Sequence, residues 1–357
     1  MMSAVLLALA LTAHPQPDSA FDRLAAQAAK ARDEDRYDEA IALYRKAIEM
    51  KPAWKEGEWN LGALLYQQDH FAEARDALRL LVMDDPNLGN GWALLGMAEY
   101  KSREYSRALD HLIRAAEIGL SDEAIRRSVK YEIAALLTRA GRYDESLATL
   151  MAMSNTETAT PPLIEAAGLA GLRLPLLPVE IPAESKAMVT LAGQAICELG
   201  AHQRAEAERS MRSLVESFPD EPGVHFLLGA LLIEKNPQEG VAEMKRELEI
   251  SPDHVGARVR LAEEALQDKN FDDALPLAAK AVALDPTLAA AHLALGKALL
   301  GKEHLSESVQ ELEKARDLAP QVPAIHWALA SAYARSQREA DAVRERAEVE
   351  RLKAQSQ

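Results

Sequence analysis

Apolar residues recur three and four positions apart along most of the chain, and short polar turns interrupt them at regular intervals. This spacing places the apolar side chains on one face of an α-helix, so it predicts a succession of short amphipathic helices. Prolines such as Pro86 and Pro286 stand where one pattern ends and the next begins, and proline cannot continue a helix interior. The pattern predicts an all-α fold built from short helices.

The helical pattern repeats every 34 residues, because Lys55–Pro86 aligns with Gly89–Leu120 and Val255–Pro286 aligns with Ala289–Pro320. In each repeat one small residue recurs in the first predicted helix and another in the second. Small residues are needed where two antiparallel helices cross at short distance. The small positions of the first helices are Ala28, Gly62, Gly96, Ala134, Gly193, Gly229, Ala262, Gly296 and Ala330. Those of the second helices are Ala40, Ala74, Ala108, Ser146, Ala205, Gly240, Ala274, Ser308 and Ala342.

This helix–turn–helix unit resembles the tetratricopeptide repeat, and the resemblance covers nearly all of the chain after its N-terminus. The resemblance implies a right-handed superhelical solenoid whose first helices line a concave, partner-binding face. Ala207 fits the fifth repeat better than Ala205, which implies about two extra turn residues, and the sixth repeat has a shortened turn near Asn236. The nine repeats are 21–54, 55–88, 89–122, 127–156, 186–219, 221–254, 255–288, 289–322 and 323–353.

The period fails between Ser154 and Ser185, where five prolines occur. Residues 161–174 still predict one helix, with Thr160 at its N-cap and Gly168 at the small contact, whereas 174–182 should be extended. We interpret 157–185 as a degenerate half-repeat and proline-rich connector. It would join a lobe of four repeats (21–156) to a lobe of five (186–353) that ends in a charged capping helix. The connector either packs as a bridge or exposes its apolar residues as a docking strand.

The N-terminus carries an apolar run, Ala4–Ala13, that is too short to span a bilayer. It resembles a secretory signal peptide, although the preceding Met1-Met2-Ser3 lacks a basic residue. We therefore interpret residues 1–13 as a signal peptide and expect export from a bacterial cell, to the periplasm or beyond. A cytoplasmic protein with an apolar tail is the alternative. No later run is long enough to insert the mature chain into a membrane.

The chain of 357 residues has 41 Lys and Arg against 56 Asp and Glu, a net charge of −15. This balance disfavours nucleic-acid binding, which requires basic patches. The single cysteine, Cys197, cannot form an intramolecular disulfide, and we expect it to be a buried small hydrophobe rather than a reactive thiol.

The sequence contains no P-loop, no H-E-x-x-H and no G-x-S-x-G, which are motifs for phosphate binding, metal binding and nucleophilic catalysis. His225, His292 and His326 recur at the repeat position that Trp92 occupies in the third repeat, so we interpret them as packing residues rather than metal ligands. The sequence predicts no enzyme, no cofactor and no metal.

The surface that remains is the face of the first helices, where a partner would find aromatic anchors and polar side chains. The candidate groove residues are Trp59, Asn60, Tyr66, Gln67, Met97, Tyr100, Tyr131 and Arg139. Further groove-facing positions are Ala63, Asn90, Leu94, Lys101, Glu132, Phe226, Ile233, Arg260, Glu263, Lys297, Trp327 and Arg335. Some of these side chains could instead pack against neighbouring helices.

The expected function is a non-catalytic scaffold that binds a protein or peptide in the concave groove. The family's clamp of Lys, Asn and Arg for a terminal carboxylate is absent, because Ala29, Ala63 and Met97 stand at its positions. The alternative is a structural spacer or assembly factor in a bacterial envelope complex that uses its convex face and ends. An unrecognised enzyme is the more remote alternative.

Overall fold

The computed structural model describes residues 19–156 and 158–355, and within them every regular element is helical: nineteen α-helices and one 3₁₀ turn. The predicted all-α solenoid of helix pairs is confirmed. The predicted signal peptide, residues 1–13, lies outside the described residues. The chain divides into two compact units, residues 1–149 (unit 1) and 150–357 (unit 2).

Unit 1 contains three complete helix pairs and most of the fourth, because the unit boundary falls inside α8. Its helices are α1 Ala20–Asp33, α2 Tyr37–Met50, α3 Lys55–Gln67, α4 Phe71–Asp84, α5 Gly89–Lys101, α6 Tyr105–Ile118, α7 Glu123–Arg139 and α8 Tyr143–Thr156.

Unit 2 begins within α8 and continues with one helix before the remaining pairs. Its helices are α9 Pro161–Gly171, the 3₁₀ turn Pro178–Glu180, α10 Lys186–Gly200, α11 Arg204–Ser217, α12 Val224–Leu232, α13 Pro237–Ile250, α14 Val255–Gln267, α15 Phe271–Leu284, α16 Ala289–Gly301, α17 Leu305–Leu318, α18 Pro323–Arg335 and α19 Glu339–Gln355. No described helix combines the length and the apolar character that a membrane crossing requires.

The small residues predicted at the helix crossings are buried at every position except one. A Cβ atom added to Gly62 would lie 2.6 Å from Leu78, and one added to Gly296 would lie 2.5 Å from Leu312, so these crossings exclude even a methyl group. The exception is Ala205, which is exposed in the first turn of α11, whereas Ala207 is fully buried. The contact residue of α11 is therefore Ala207, as the two extra turn residues require.

Most first helices end in the same tight turn, in which one residue adopts the left-handed conformation. After α14, Lys269 has φ 56°, and the N–H of Asn270 donates to the carbonyl of Ala265, five residues earlier, at 2.8 Å. This is a Schellman-type ending, usually made with glycine. Here the left-handed residues are Asp35, Asp69, Arg103, Gly141, Arg173, His202, Lys269, Glu303 and Gln337.

The lone helix α9 ends in this same way, with Arg173 at φ 54° and a 2.9 Å bond from Leu174 N–H to the Leu169 carbonyl. It therefore has the ending of a first helix. A Cβ on Gly168 would lie 1.9 Å from a backbone oxygen of α10, so the two helices are in close contact. Thr160 is the N-cap residue of α9, but its side chain makes no capping hydrogen bond.

The proline-rich connector is partly packed. Leu177 is buried, its N–H donates to Glu180 Oε2 at 2.8 Å, and the 3₁₀ turn packs against α9. This turn corrects the expectation that all of 174–182 is extended; a 3₁₀ turn can begin at Pro178 because proline's fixed φ suits its first position. Val179 remains 86% exposed.

Three histidines and one tryptophan hold the turns between consecutive pairs. His225, His292 and His326 are buried, and the Nε2 atom of each donates to the carbonyl of the proline six residues earlier, at 2.9 to 3.0 Å. Trp92 Nε1 donates to the Pro86 carbonyl at 2.9 Å in the same way. The prediction that these residues share one packing position is confirmed.

Candidate partner-binding surface

The eight candidate residues lie on the first helices of unit 1, which we call the first-helix face (α3, α5 and α7). Gln67 is exposed, and the other seven are half-buried. They are Trp59, Asn60, Tyr66 and Gln67 on α3, Met97 and Tyr100 on α5, and Tyr131 and Arg139 on α7.

Tyr66 and Tyr100 have a structural partner each. The Tyr66 ring lies edge-on against Phe71, with centroids 5.4 Å apart, and the Tyr100 ring lies edge-on against Tyr105 at 5.9 Å. Phe71 and Tyr105 are the first residues of α4 and α6, so each pair closes the turn inside its repeat. These two tyrosines stabilise the fold and offer only one side to a partner.

Cations lie over the same aromatic layer. The Arg139 guanidinium is 4.9 Å from the centroid of the Tyr105 ring, and Lys101 Nζ is 5.9 Å from that of Tyr100. Such cation–π contacts hold long side chains in place on a surface.

Trp59 and Asn60 lie nearer the start of α3. Trp59 lines a shallow cleft of about 280 Å³ together with Leu81 and Leu88. Asn60 is committed to internal bonds, since its Oδ1 accepts from Arg32 at 2.7 Å and its Nδ2 donates to the Glu56 carbonyl at 2.8 Å. Asn60 thus links α3 to α1 and keeps one N–H and one oxygen lone pair for a ligand.

Glu132 is the most unusual group on this face. Its Oε2 atom is enclosed and has no hydrogen-bond partner among the described residues. Burial raises the pKa of Glu132 to about 7, and Lys101 offsets only part of that rise. The carboxylate also contributes to the raised pKa of Tyr66, whose main cause is burial, so Glu132 lies close to side chains of α3 and α5. Glu132 is among the groove-facing positions expected from the sequence, but no sequence signal distinguishes it from the other carboxylates.

The first helices of unit 2 offer fewer candidates. Trp327 is 62% exposed on α18, and Arg335 is bonded to the Leu300 carbonyl at 2.8 Å. Phe226 and Ile233 are buried, so the expectation that they face a groove is wrong. The short α12 explains this, because its eight buried residues leave no open face.

The cysteine and the potential metal ligands do not form a reactive site among the described residues. Cys197 is buried, as predicted, and burial raises the pKa of its thiol, which keeps it protonated and unreactive. No group of three His, Cys, Asp or Glu residues is arranged to hold a metal within the part of the chain that the structure describes.

The family profile described as "Tetratricopeptide repeat" matches residues 31–98 and 265–330. Among solved structures, a MamA chain from Desulfovibrio magneticus RS-1 is 24% identical, covers 47% of this chain and 96% of its own, and has a TM-score of 0.42. MamA AMB-1 is 21% identical over 46% of this chain and 98% of its own, with a TM-score of 0.40. No curated protein is significantly similar in sequence.

Proposed function

The chain is a tetratricopeptide repeat protein, and from this premise we propose that it is a non-catalytic scaffold that binds a protein partner along the first-helix face of unit 1. Solenoids of stacked helix pairs present extended surfaces of this kind and use them to hold partners. The partner segment would be extended or helical, with apolar side chains against the half-buried aromatics.

The observation that carries this proposal is the enclosed carboxylate of Glu132. Buried polar atoms in folded proteins nearly always have hydrogen-bond partners, and Glu132 Oε2 has none among the described residues, so it is available to accept a hydrogen bond from a bound partner. A cationic side chain of a partner would satisfy Oε2 and favour the charged carboxylate. Met97 and Tyr100, half-buried on the adjacent α5, would contact the apolar residues beside that cation.

The first test places a photo-crosslinking amino acid at Gln67, which is exposed on α3, and at Met83, which is exposed on α4. Under this proposal, irradiation in cells gives a discrete adduct from position 67 and none from position 83. Adducts from position 83 alone would favour the spacer interpretation, in which the second helices and the ends of the solenoid make the contacts.

The second test compares E132Q with the matched variant E117Q, which removes an exposed carboxylate of α6. E132Q should weaken capture of the crosslinked partner about tenfold or more, the loss expected for one charge-assisted bond of 1.5–3 kcal/mol. E117Q should bind as the parent does. Equal binding by all three proteins would contradict the proposal.

We also propose that the protein is exported, on the strength of the apolar run Ala4–Ala13 and the polar, proline-containing sequence after it. N-terminal sequencing of protein purified from the producing cell tests this. A mature chain that begins near His14 supports export, and a retained Met1 contradicts it.

A further inference from the structure

A cavity of about 490 Å³ lies in unit 2 between α13, α14 and α15. Apolar side chains form one part of its wall and charged or polar ones form the rest. The apolar wall consists of Val241, Leu248, Leu261, Ala265, Pro276 and Leu277. The polar wall consists of Lys245, Glu264, Asp268, Asn270 and Asp273.

The cavity exists because one side chain is small. Ala265 on α14 occupies the repeat position at which Leu299 stands 34 residues later and Tyr333 stands 68 residues later. Tyr333 is buried, and its hydroxyl donates to Glu313 Oε1 at 2.6 Å. Glu313 in turn is the repeat equivalent of Lys245, which lines the cavity. The volume open beside Ala265 is therefore the volume that a tyrosine ring fills two repeats later.

The comparison also shows which chemistry such a volume accepts. At the later position the Arg338 guanidinium lies 4.2 Å from the centroid of the Tyr333 ring, so an aromatic group and a cation fill the space together. The equivalent of Arg338 at the cavity is Asn270, which is neutral. Neither the Tyr333 ring nor the Arg338 guanidinium has a counterpart beside Ala265, and Lys245 stands there in place of Glu313.

The charge of the wall favours a cation. Three carboxylates face one lysine, and Glu264 has its pKa raised by burial and by the neighbouring charges of Asp268 and Glu263. Repulsion among these acceptors would be relieved by a donor that carries positive charge.

We propose that this cavity docks a basic, amphipathic segment of a protein partner. An apolar or aromatic side chain of that segment enters beside Ala265, and an adjacent arginine or lysine pairs with Glu264 and Asp268. A second copy of this chain is the less suitable occupant, because a net charge of −15 repels its own acidic surfaces. The site is separate from the first-helix face of unit 1 and does not depend on the function proposed there.

The test is fluorescence anisotropy of the full chain with three fluorescein-labelled helical peptides. The probe has leucines on one face and arginines on the other. A second peptide replaces each arginine by glutamate, and a third replaces each leucine by serine. Saturable binding of the probe is expected. Each of the other two peptides should bind at least about tenfold more weakly than the probe. Absence of probe binding, or equal binding of the serine peptide, would overturn the proposal.

Two variants locate the probe. A265L fills the cavity with the side chain that Leu299 carries at the equivalent position, so the repeat should still fold. It should weaken probe binding about tenfold or more. D268N should weaken it several-fold and reduce its salt dependence, whereas E216Q, which removes an exposed carboxylate of α11, should change neither.

The outcomes separate this proposal from the one for unit 1. E132Q should leave probe binding unchanged. If E132Q abolishes binding and A265L does not, the probe binds the first-helix face, and the cavity proposal is wrong. If circular dichroism shows that A265L is unstable, the affinities of D268N and E216Q for the probe are compared instead. Equal affinities of these two variants would overturn the cavity proposal.

Discussion

Ser308 Oγ donates a hydrogen bond of 2.7 Å to the backbone carbonyl of Gly296, and both residues are buried where α16 and α17 cross. Ser146 makes the same bond to the Ala134 carbonyl at 2.8 Å in unit 1. The crossings therefore accept a hydroxyl only because it is small and because a carbonyl on the partner helix satisfies it. Polar groups buried without such a partner would be costly.

The variant S308A should lose this bond without opening a large cavity, since Ala274 and Ala342 stand at the equivalent positions. We expect a loss of about 1 kcal/mol in the free energy of unfolding. S308L should lose about 1–3 kcal/mol by overpacking against α16. Urea denaturation followed by circular dichroism measures both, with exposed Ser306→Ala as the control. Equal midpoints for S308L and the parent would contradict the close crossing.

The left-handed turn residues offer stabilising substitutions. Lys269 is exposed at φ 56°, a conformation that glycine adopts at no steric cost. K269G should raise the free energy of unfolding by about 0.5–1 kcal/mol. The converse substitution is G141A. The added Cβ would contact no other atom, but the left-handed φ of 78° is strained for alanine, so the free energy of unfolding should fall by a similar amount. A lower denaturation midpoint for K269G would show that the lysine side chain, not backbone strain, dominates at this turn.

The elements that the sequence predicted follow from short-range sterics repeated every 34 residues. Three features were predictable because they depend on contacts within one repeat or between two neighbouring repeats. They are the small residues at helix crossings, the prolines at turns, and the shared position of Trp92 and His292. Phe226 is buried because His254 and Arg173 pack against its ring, whereas Ala205 was misplaced because it follows the turn of the fifth repeat, which contains two extra residues. A shift of one or two residues rotates a helix by 100° or more and moves a side chain from surface to core.

The candidate site was less predictable. The contact of Tyr66 with Phe71 could have been inferred, because Tyr100 and Tyr105 repeat the same spacing. The surroundings of Glu132 could not, since they depend on side chains from three helices. The cavity beside Ala265 had a visible signal in the larger side chains at its equivalent positions, but only the packed helices show that nothing else fills it.

The buried histidine–glutamate pairs should be strongly coupled. His326 Nδ1 lies 2.5 Å from Glu345 Oε2, and Nε2 must carry a hydrogen because the Pro320 carbonyl can only accept. H326F keeps the ring volume but loses both bonds, and should cost about 2–4 kcal/mol. A double-mutant cycle with E345Q should give a coupling energy of about 1–3 kcal/mol. Simple additivity of the two variants would contradict the pairing.

Glu132 should make the protein less stable as pH rises. Its folded pKa of about 7 lies above the ordinary value of 4.5, so the folded state binds more protons than the unfolded state between these values. Stability is then greatest below pH 4.5 with respect to this group, and it falls as pH rises through 7. E132Q should therefore exceed the parent at pH 8 by up to about 3 kcal/mol and match it at pH 4.5. An equal difference at both pH values would contradict the raised pKa.

The buried imidazole of His254 should have the opposite effect, so that the protein becomes less stable as pH falls. Its Nδ1 accepts the N–H of Ala257 at 3.1 Å and so caps α14. Burial, assisted by the charge of Arg173, lowers the pKa of His254 to about 4, although Glu247 Oε1 lies 4.0 Å from its Nε2. Between pH 6.5 and pH 4 the unfolded state binds a proton that the folded state does not, so stability is lost as pH falls through that window.

The loss attributable to His254 is at most about 3 kcal/mol, the equivalent of its shift in pKa. H254N removes the titration and keeps a side-chain acceptor suited to an N-cap. Urea midpoints at pH 7.5 and pH 4.5 should differ less for H254N than for the parent. H304N replaces an exposed histidine at the N-cap of α17 and should leave the difference unchanged. If H254N loses as much stability on acidification as the parent, the acid sensitivity of unit 2 has its origin in groups other than this buried imidazole.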